Sequence, residues 1–184
     1  TLSGGGAGNT FAGRTLDIAA GATVTVSGEV EIDGGTNAIT NAGTLNLTGS
    51  RISHVFNAGG SLSLTNSSTI NKTGAGTFTL GALDFTNIGT TNVNAGTLSY
   101  AGGTGTSNGN FNVLGGATYL TSGATMTFGA ASFFNSAGNL STSAGSASFA
   151  MPTANFVHTG NLTVSGGTAT FTPDVSVPLI TLSG

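Results

Sequence analysis

One motif returns along most of this chain: an apolar residue, a short turn built from Asn and Gly, then a strand with alternating apolar side chains. Ile39–Gly49 (ITNAGTLNLTG) is its clearest copy. Alternation over four residues is a half-buried strand signal, and Asn and Gly supply the turn because both tolerate left-handed backbone. Further copies start at Phe56, Ile70, Val93, Phe111, Phe134 and Phe156, a mean step of about 20 residues. The strands are short: TLNL at 44–47, SLSL at 61–64, TFTL at 77–80, NFNV at 110–113, TMTF at 125–128 and NLTV at 161–164. Gly or Pro interrupts nearly every window, so no 3.6-residue period survives and helix is excluded as a main element.

Short strands at a mean step of about 20 residues, individual steps running from about 14 to 23, predict a β-solenoid, in which coils stack in parallel because no single coil can bury its own apolar side. The expected fold is all-β: a single-stranded right-handed parallel β-helix of about nine coils, one segment spanning residues 1–184. Leu45 and Leu47 are expected inward, and Thr44, Asn46 and Thr48 outward. Phe and Leu should form interior columns. Asn41, Asn57, Asn71, Asn94, Asn112 and Asn135 should line a corner and stack as an amide ladder. Extra residues at 68–77, 102–109 and 143–148 should bulge from corners, with GGTGTSNG at 102–109 the most loop-like. Residues 1–10 are expected to be irregular. Pro152, Pro173 and Pro178 belong at corners or strand starts, since Pro donates nothing to a ladder. Both ends read as interior repeat, so a piece of something longer is expected.

Composition narrows function. Charged residues make up 5% of the 184, with six acids, three bases and net charge −3. A nucleic-acid binder needs clustered Lys and Arg, and these are missing. No run of 18 apolar residues could form a membrane-spanning helix. The chain has 32 Gly, yet 11 Phe spaced among alternating aliphatics argue against low-complexity disorder. Cysteine is absent, so backbone pairing and apolar stacking must hold the fold.

NAGTLNLTG, NAGTLSYAGG and GNLTVSGGT resemble the repetitive passenger segments of bacterial giant adhesins, the autotransporter and filamentous-haemagglutinin-like surface proteins. The resemblance covers roughly residues 35–172. It implies a right-handed parallel β-helix, export to the cell surface or medium, and an adhesive or fibre-forming role. No secretion domain, membrane barrel or receptor-binding motif accompanies these repeats.

No residue set points to catalysis, a cofactor or a metal. Glu29, Glu31 and Asp33 alternate on one strand and so share one face; calcium would want such oxygens, but a solvated outer face with Val30 and Ile32 inward is the better explanation. A glycosidase needs two opposed carboxylates, and Asp17 and Asp84 are the only isolated candidates. His54 and His158 lack partners at ligand spacing and are expected at corners or on the surface. Arg14, Arg51 and Lys72 read as solubilising charges. The five Asn-x-Ser/Thr sequons, at Asn46, Asn66, Asn71, Asn139 and Asn161, are what chance supplies in so Ser- and Thr-rich a chain. Thr23/Thr25, Thr77/Thr79, Thr125/Thr127 and Thr168/Thr170 are paired outward threonines. They raise a carbohydrate- or ice-binding surface as the alternative to a non-enzymatic structural segment. The expected partners are other copies stacked end to end or neighbouring repeats, with surface glycans second.

Overall fold

A computed structural model describes residues 13–55 and 59–183. It is a parallel β-solenoid of about eight turns at about 21 residues per turn, with a 3-10 turn at Thr153–Asn155 as its one helical element among the described residues. Eight turns replace the expected nine because each takes about one residue more than the motif step implied, and residues 1–12 lie outside the description. The expectations for residues 1–10 and for Phe56 and Asn57 lie outside it too.

Each turn lays one strand on each of three faces. The first face runs from Thr15–Ile18 through Thr36–Asn41, Ser61–Asn66, Asp84–Asn87 and Thr104–Ser107, and reaches Thr168–Phe171. The second runs from Thr23–Val26 through Thr44–Leu47, Thr69–Lys72, Thr90–Val93, Asn110–Val113 and Phe133–Ser136 to Phe156–His158. The third begins at Glu29–Asp33 and Arg51–Val55, continues through Thr77–Gly81 and Thr97–Ala101, and ends at Ile180–Leu182. Two 11-residue strands, Thr118–Phe128 and Asn139–Phe149, turn the corner from third face to first without a break, so these two faces form one 14-stranded sheet. Every pairing is parallel, and register shifts occur only at that corner, around Ser122.

Register places like residues over one another. Leu45 pairs with Ile70, Thr91 with Phe111, and Phe111 with Phe134, all inward. The core is aliphatic at the start of the chain and aromatic later. Phe111, Phe134 and Phe156 stack down the second face at 5.8 and 5.6 Å between centroids. Phe128, Phe149 and Phe171 stack down the first at 4.7 and 4.8 Å, nearly parallel. Phe134 meets Phe128 and Phe149 edge-on at 5.1 Å. Both geometries suit the ring quadrupole. The expected interior columns are therefore present, with Leu45 and Leu47 inward and Thr44 and Asn46 outward.

Two expectations need correction. The Asn-Gly motif does not mark one corner. Asn41–Gly43 leads from first face to second, and Asn94–Gly96 leads from second to third. Each of these corners demands the same short turn between strands, so one motif serves both. The loop-like 102–109 stretch contains a strand, Thr104–Ser107, paired on both sides. Its Gly105 faces inward, and a Cβ there would lie 2.5 Å from Met126 Sδ and 2.7 Å from the Tyr100 ring. Glycine here makes room for a tyrosine. Likewise 143–148 falls within the strand Asn139–Phe149, where Gly145 has φ +79°. The three prolines lie outside strands, as expected.

Neighbouring Phe133 and Phe134 give a direct test. Phe134 is fully buried and Phe133 is 52% exposed. Phe134→Ala is expected to cost about 3–5 kcal/mol in denaturant unfolding, and Phe133→Ala to stay within about 0.5 kcal/mol of the parent.

Candidate functional site

The acidic strand is built as its alternation implies. Val30 and Ile32 are buried, while Glu29, Glu31 and Asp33 face outward. Arg51, on the next coil, donates to Glu29 and to Glu31. The guanidinium thus lies between the two carboxylates, where a cation would have to sit, and this half-exposed trio is worth little in stability. Among the described residues no three His, Asp or Glu side chains converge as a metal site.

Asp17 and Asp84 share the outer first face but sit three coils apart, about 14 Å at the interstrand spacing. That exceeds either glycosidase geometry. Asp17 accepts from the Thr40 hydroxyl, and Asp84 Oδ1 accepts from the Thr104 N–H at 3.1 Å. Asp84 borders a cleft of about 300 Å³ at the corner between third and first faces, lined also by His54, Ser61, Leu83 and Gly103. The buried Tyr100 hydroxyl donates to the carbonyl of Leu83, one of the lining residues, at 2.9 Å. Burial, aided by the Asp84 charge, pushes its phenol well above the ordinary tyrosine pKa.

Three polar side chains expected outside are inside. Lys72 takes the inward place held by Leu47 below and Val93 above, and is fully buried. Its ammonium donates to the Gly74 carbonyl and to that of Ala95 at 2.9 Å. Burial lowers its pKa. The alternation in TINK already put Lys72 on the inward side; the habit of placing lysine in water concealed it. His54 pairs with inward Ile32 and is likewise buried. His158 tops the column of Val113 and Ser136, with Phe156 and Phe134 rings 6.1 and 6.4 Å away. Burial lowers its pKa, opposed by the backbone at Ser136 and Asn161.

The expected asparagine ladder is in fact two, on opposite sides of the wall. The inner one is buried at the corner between first and second faces. Asn41 Nδ2 donates to Asn66 Oδ1 at 2.7 Å, Asn66 to Asn87 at 2.7 Å, and Asn87 to the Ser107 hydroxyl at 3.0 Å. Each amide also reaches a second-face carbonyl: Thr69 for Asn41, Thr90 for Asn66 and Asn110 for Asn87. The outer ladder runs along the middle of the second face. Asn71 donates to Asn46 at 3.1 Å, Asn92 to Asn71 and Asn112 to Asn92 at 2.9 Å, with Asn135 next in register. Asn94 lies in a turn and joins neither ladder in the described structure.

The threonine pairs divide among the faces: Thr23/Thr25 on the second, Thr77/Thr79 on the third, Thr125/Thr127 and Thr168/Thr170 on the first. On the first face they join a set the sequence spacing did not reveal. Thr104/Thr106, Thr125/Thr127, Ser146/Ser148 and Thr168/Thr170 stack on four successive coils.

Compared with protein-family models, curated proteins and solved structures, the chain matches none. The coordinates define its class as a parallel β-solenoid with internal amide ladders and one face whose strands carry no outward charge.

Two outcomes check this site chemistry. Asn66→Ala removes one of the partners of the buried Asn41 amide and one of those of the buried Asn87 carbonyl, at an expected cost of about 1–3 kcal/mol; Asn71→Ala, on the half-exposed outer ladder, is expected to cost under about 1 kcal/mol, both read by urea denaturation. His158 is held below its unfolded pKa of 6.5, so the unfolded chain binds its proton first. Stability is whole above pH 6.5 and falls as pH drops through 6.5 toward the folded value. Melting curves from pH 7.5 to 5 should show that fall, and His158→Leu should flatten it.

Proposed function

We propose that this chain is a non-enzymatic structural segment of an extracellular bacterial fibre or giant adhesin, working at the cell surface as a stiff shaft that extends by end-to-end stacking. One observation carries the reading: the inward columns run from coil to coil in register, shifted only at the corner around Ser122, so each inner coil is braced by the coils on either side. Such a rod resists bending because bending must break in-register pairs on one face. The adhesin resemblance in NAGTLNLTG and NAGTLSYAGG supports the setting.

Stacking is supported by the apolar end. Ile180–Leu182 pairs on one side only, with Leu162–Val164. Leu179 and Ile180 are about half exposed and Leu182 is 74% exposed. An unpaired edge beside exposed leucines is a template for another strand. Leu16 and Val24, on the first described strands of their faces, are only partly buried.

Sedimentation velocity across a hundredfold concentration range, with negative-stain microscopy, tests the reading. Rods that lengthen in whole multiples of the monomer are expected, and Leu182→Lys should shorten them. A strictly monomeric rod at the highest concentration would count against stacking.

A further inference from the structure

The second face differs from the other two in charge and in exposed apolar groups. Its strands contain no Asp, Glu or Arg, and their Lys72 and His158 both point inward and are buried. The first face carries Asp17 and Asp84, and the third carries Glu29, Glu31, Asp33 and Arg51. Outside the last strand region, the large exposed hydrophobics among the described residues are Ile88, Leu114, Phe133 and Val157. All four belong to the second face or its two corners, one per coil on successive coils. Phe133 and Asn135 are two residues apart on one strand and so share its outer side. Val157 pairs directly with Asn135.

We propose that this half of the second face, from Thr90–Val93 to Phe156–His158, is a docking track for a neutral polysaccharide lying along the solenoid axis. Asn92 spends one N–H and one acceptor site on its ladder neighbours, and Asn112 spends one N–H, so each keeps a donor and an acceptor site for a ligand. A sugar hydroxyl donates and accepts, so it satisfies both. Amides recur every coil, about 4.8 Å, a step close to that of one pyranose ring in an extended glycan. Pyranose rings are amphiphilic, with a C–H face and a hydroxyl rim. Phe133 offers the flat apolar surface for the first, and Asn112 and Asn135 the polar partners for the second. The uncharged strands select against anionic polymers, which would lose hydration and gain no cation. The first-face threonine set has hydroxyls but no exposed ring, and so lacks half of this match.

The inference does not depend on end-to-end stacking. Affinity electrophoresis through gels containing a neutral polymer (β-glucan or mannan) or an anionic one (alginate or hyaluronate) tests it. Retardation by at least one neutral polymer and by neither anionic one is expected. Phe133→Ala and Asn112→Ala should each weaken retardation about tenfold, with melting temperature near the parent's. Phe133→Tyr, which keeps the ring, should retain it, and Thr127→Ala on the first face should leave it unchanged. No retardation by any neutral polymer, equal retardation of Phe133→Ala and parent, or stronger retardation by the anionic polymers would each overturn the proposal. So would Phe133→Ala abolishing a concentration-dependent dimer, because the face would then serve contact between copies.

Discussion

Parallel stacking in register puts every inward side chain about 4.8 Å from its counterpart above and below. A residue type survives in such a column only if it can pack against a near-copy of itself. Phenylalanine can, by offset stacking, and it fills two columns in the later coils. Asparagine can, because its amide carries a donor and an acceptor, so each copy satisfies the next. Lysine cannot, since like ammonium groups would repel. Lys72 accordingly occurs once, between Leu47 and Val93, and turns its ammonium to corner carbonyls. Glycine fails for lack of volume, and Gly105 is tolerated because Tyr100 and Met126 reach into the space it leaves.

The alternation of the strands made these columns legible beforehand. Leu45 and Leu47 inward, the outward set Glu29, Glu31 and Asp33, and the interior phenylalanine columns all follow from a period of two. What alternation could not show was which face a strand joins. The Asn-Gly turn serves two different corners, so motif steps mixed corners and made the repeat look more irregular than it is. That error also merged the two ladders: Asn41 ends a first-face strand with its side chain inward, whereas Asn71, Asn112 and Asn135 lie mid-strand on the second face. Lys72, His54 and His158 were misplaced for another reason. Their strands' alternation puts them inside, and the general cost of burying such groups argued the opposite; nearby carbonyls offset that cost for Lys72.

Function divides along the same lines. Among the described residues the interior is committed to stacking, with aromatic and aliphatic columns in register. Asp17 and Asp84, the best acid pair in the sequence, are held apart by three coils of their own sheet. Outward positions are released from the column rule, and there the faces diverge: scattered charge on the third, hydroxyl pairs on the first, amides with exposed apolar groups on the second. A shaft needs only the interior. The asymmetry of the outer surface is where a partner would be distinguished.

Register is the claim on which the columns, the ladders and the outer faces all rest. The chain has no cysteine of its own, so paired cysteines report it cleanly. Thr106 and Thr127 are opposed in register on adjacent first-face strands, at a separation suited to a disulfide. The pair Thr106→Cys/Thr127→Cys is predicted to oxidise quantitatively in the folded protein without loss of secondary structure, while Thr106→Cys/Ser148→Cys, one coil further, should stay reduced. Failure of the first pair with formation of the second would contradict the stacking described here.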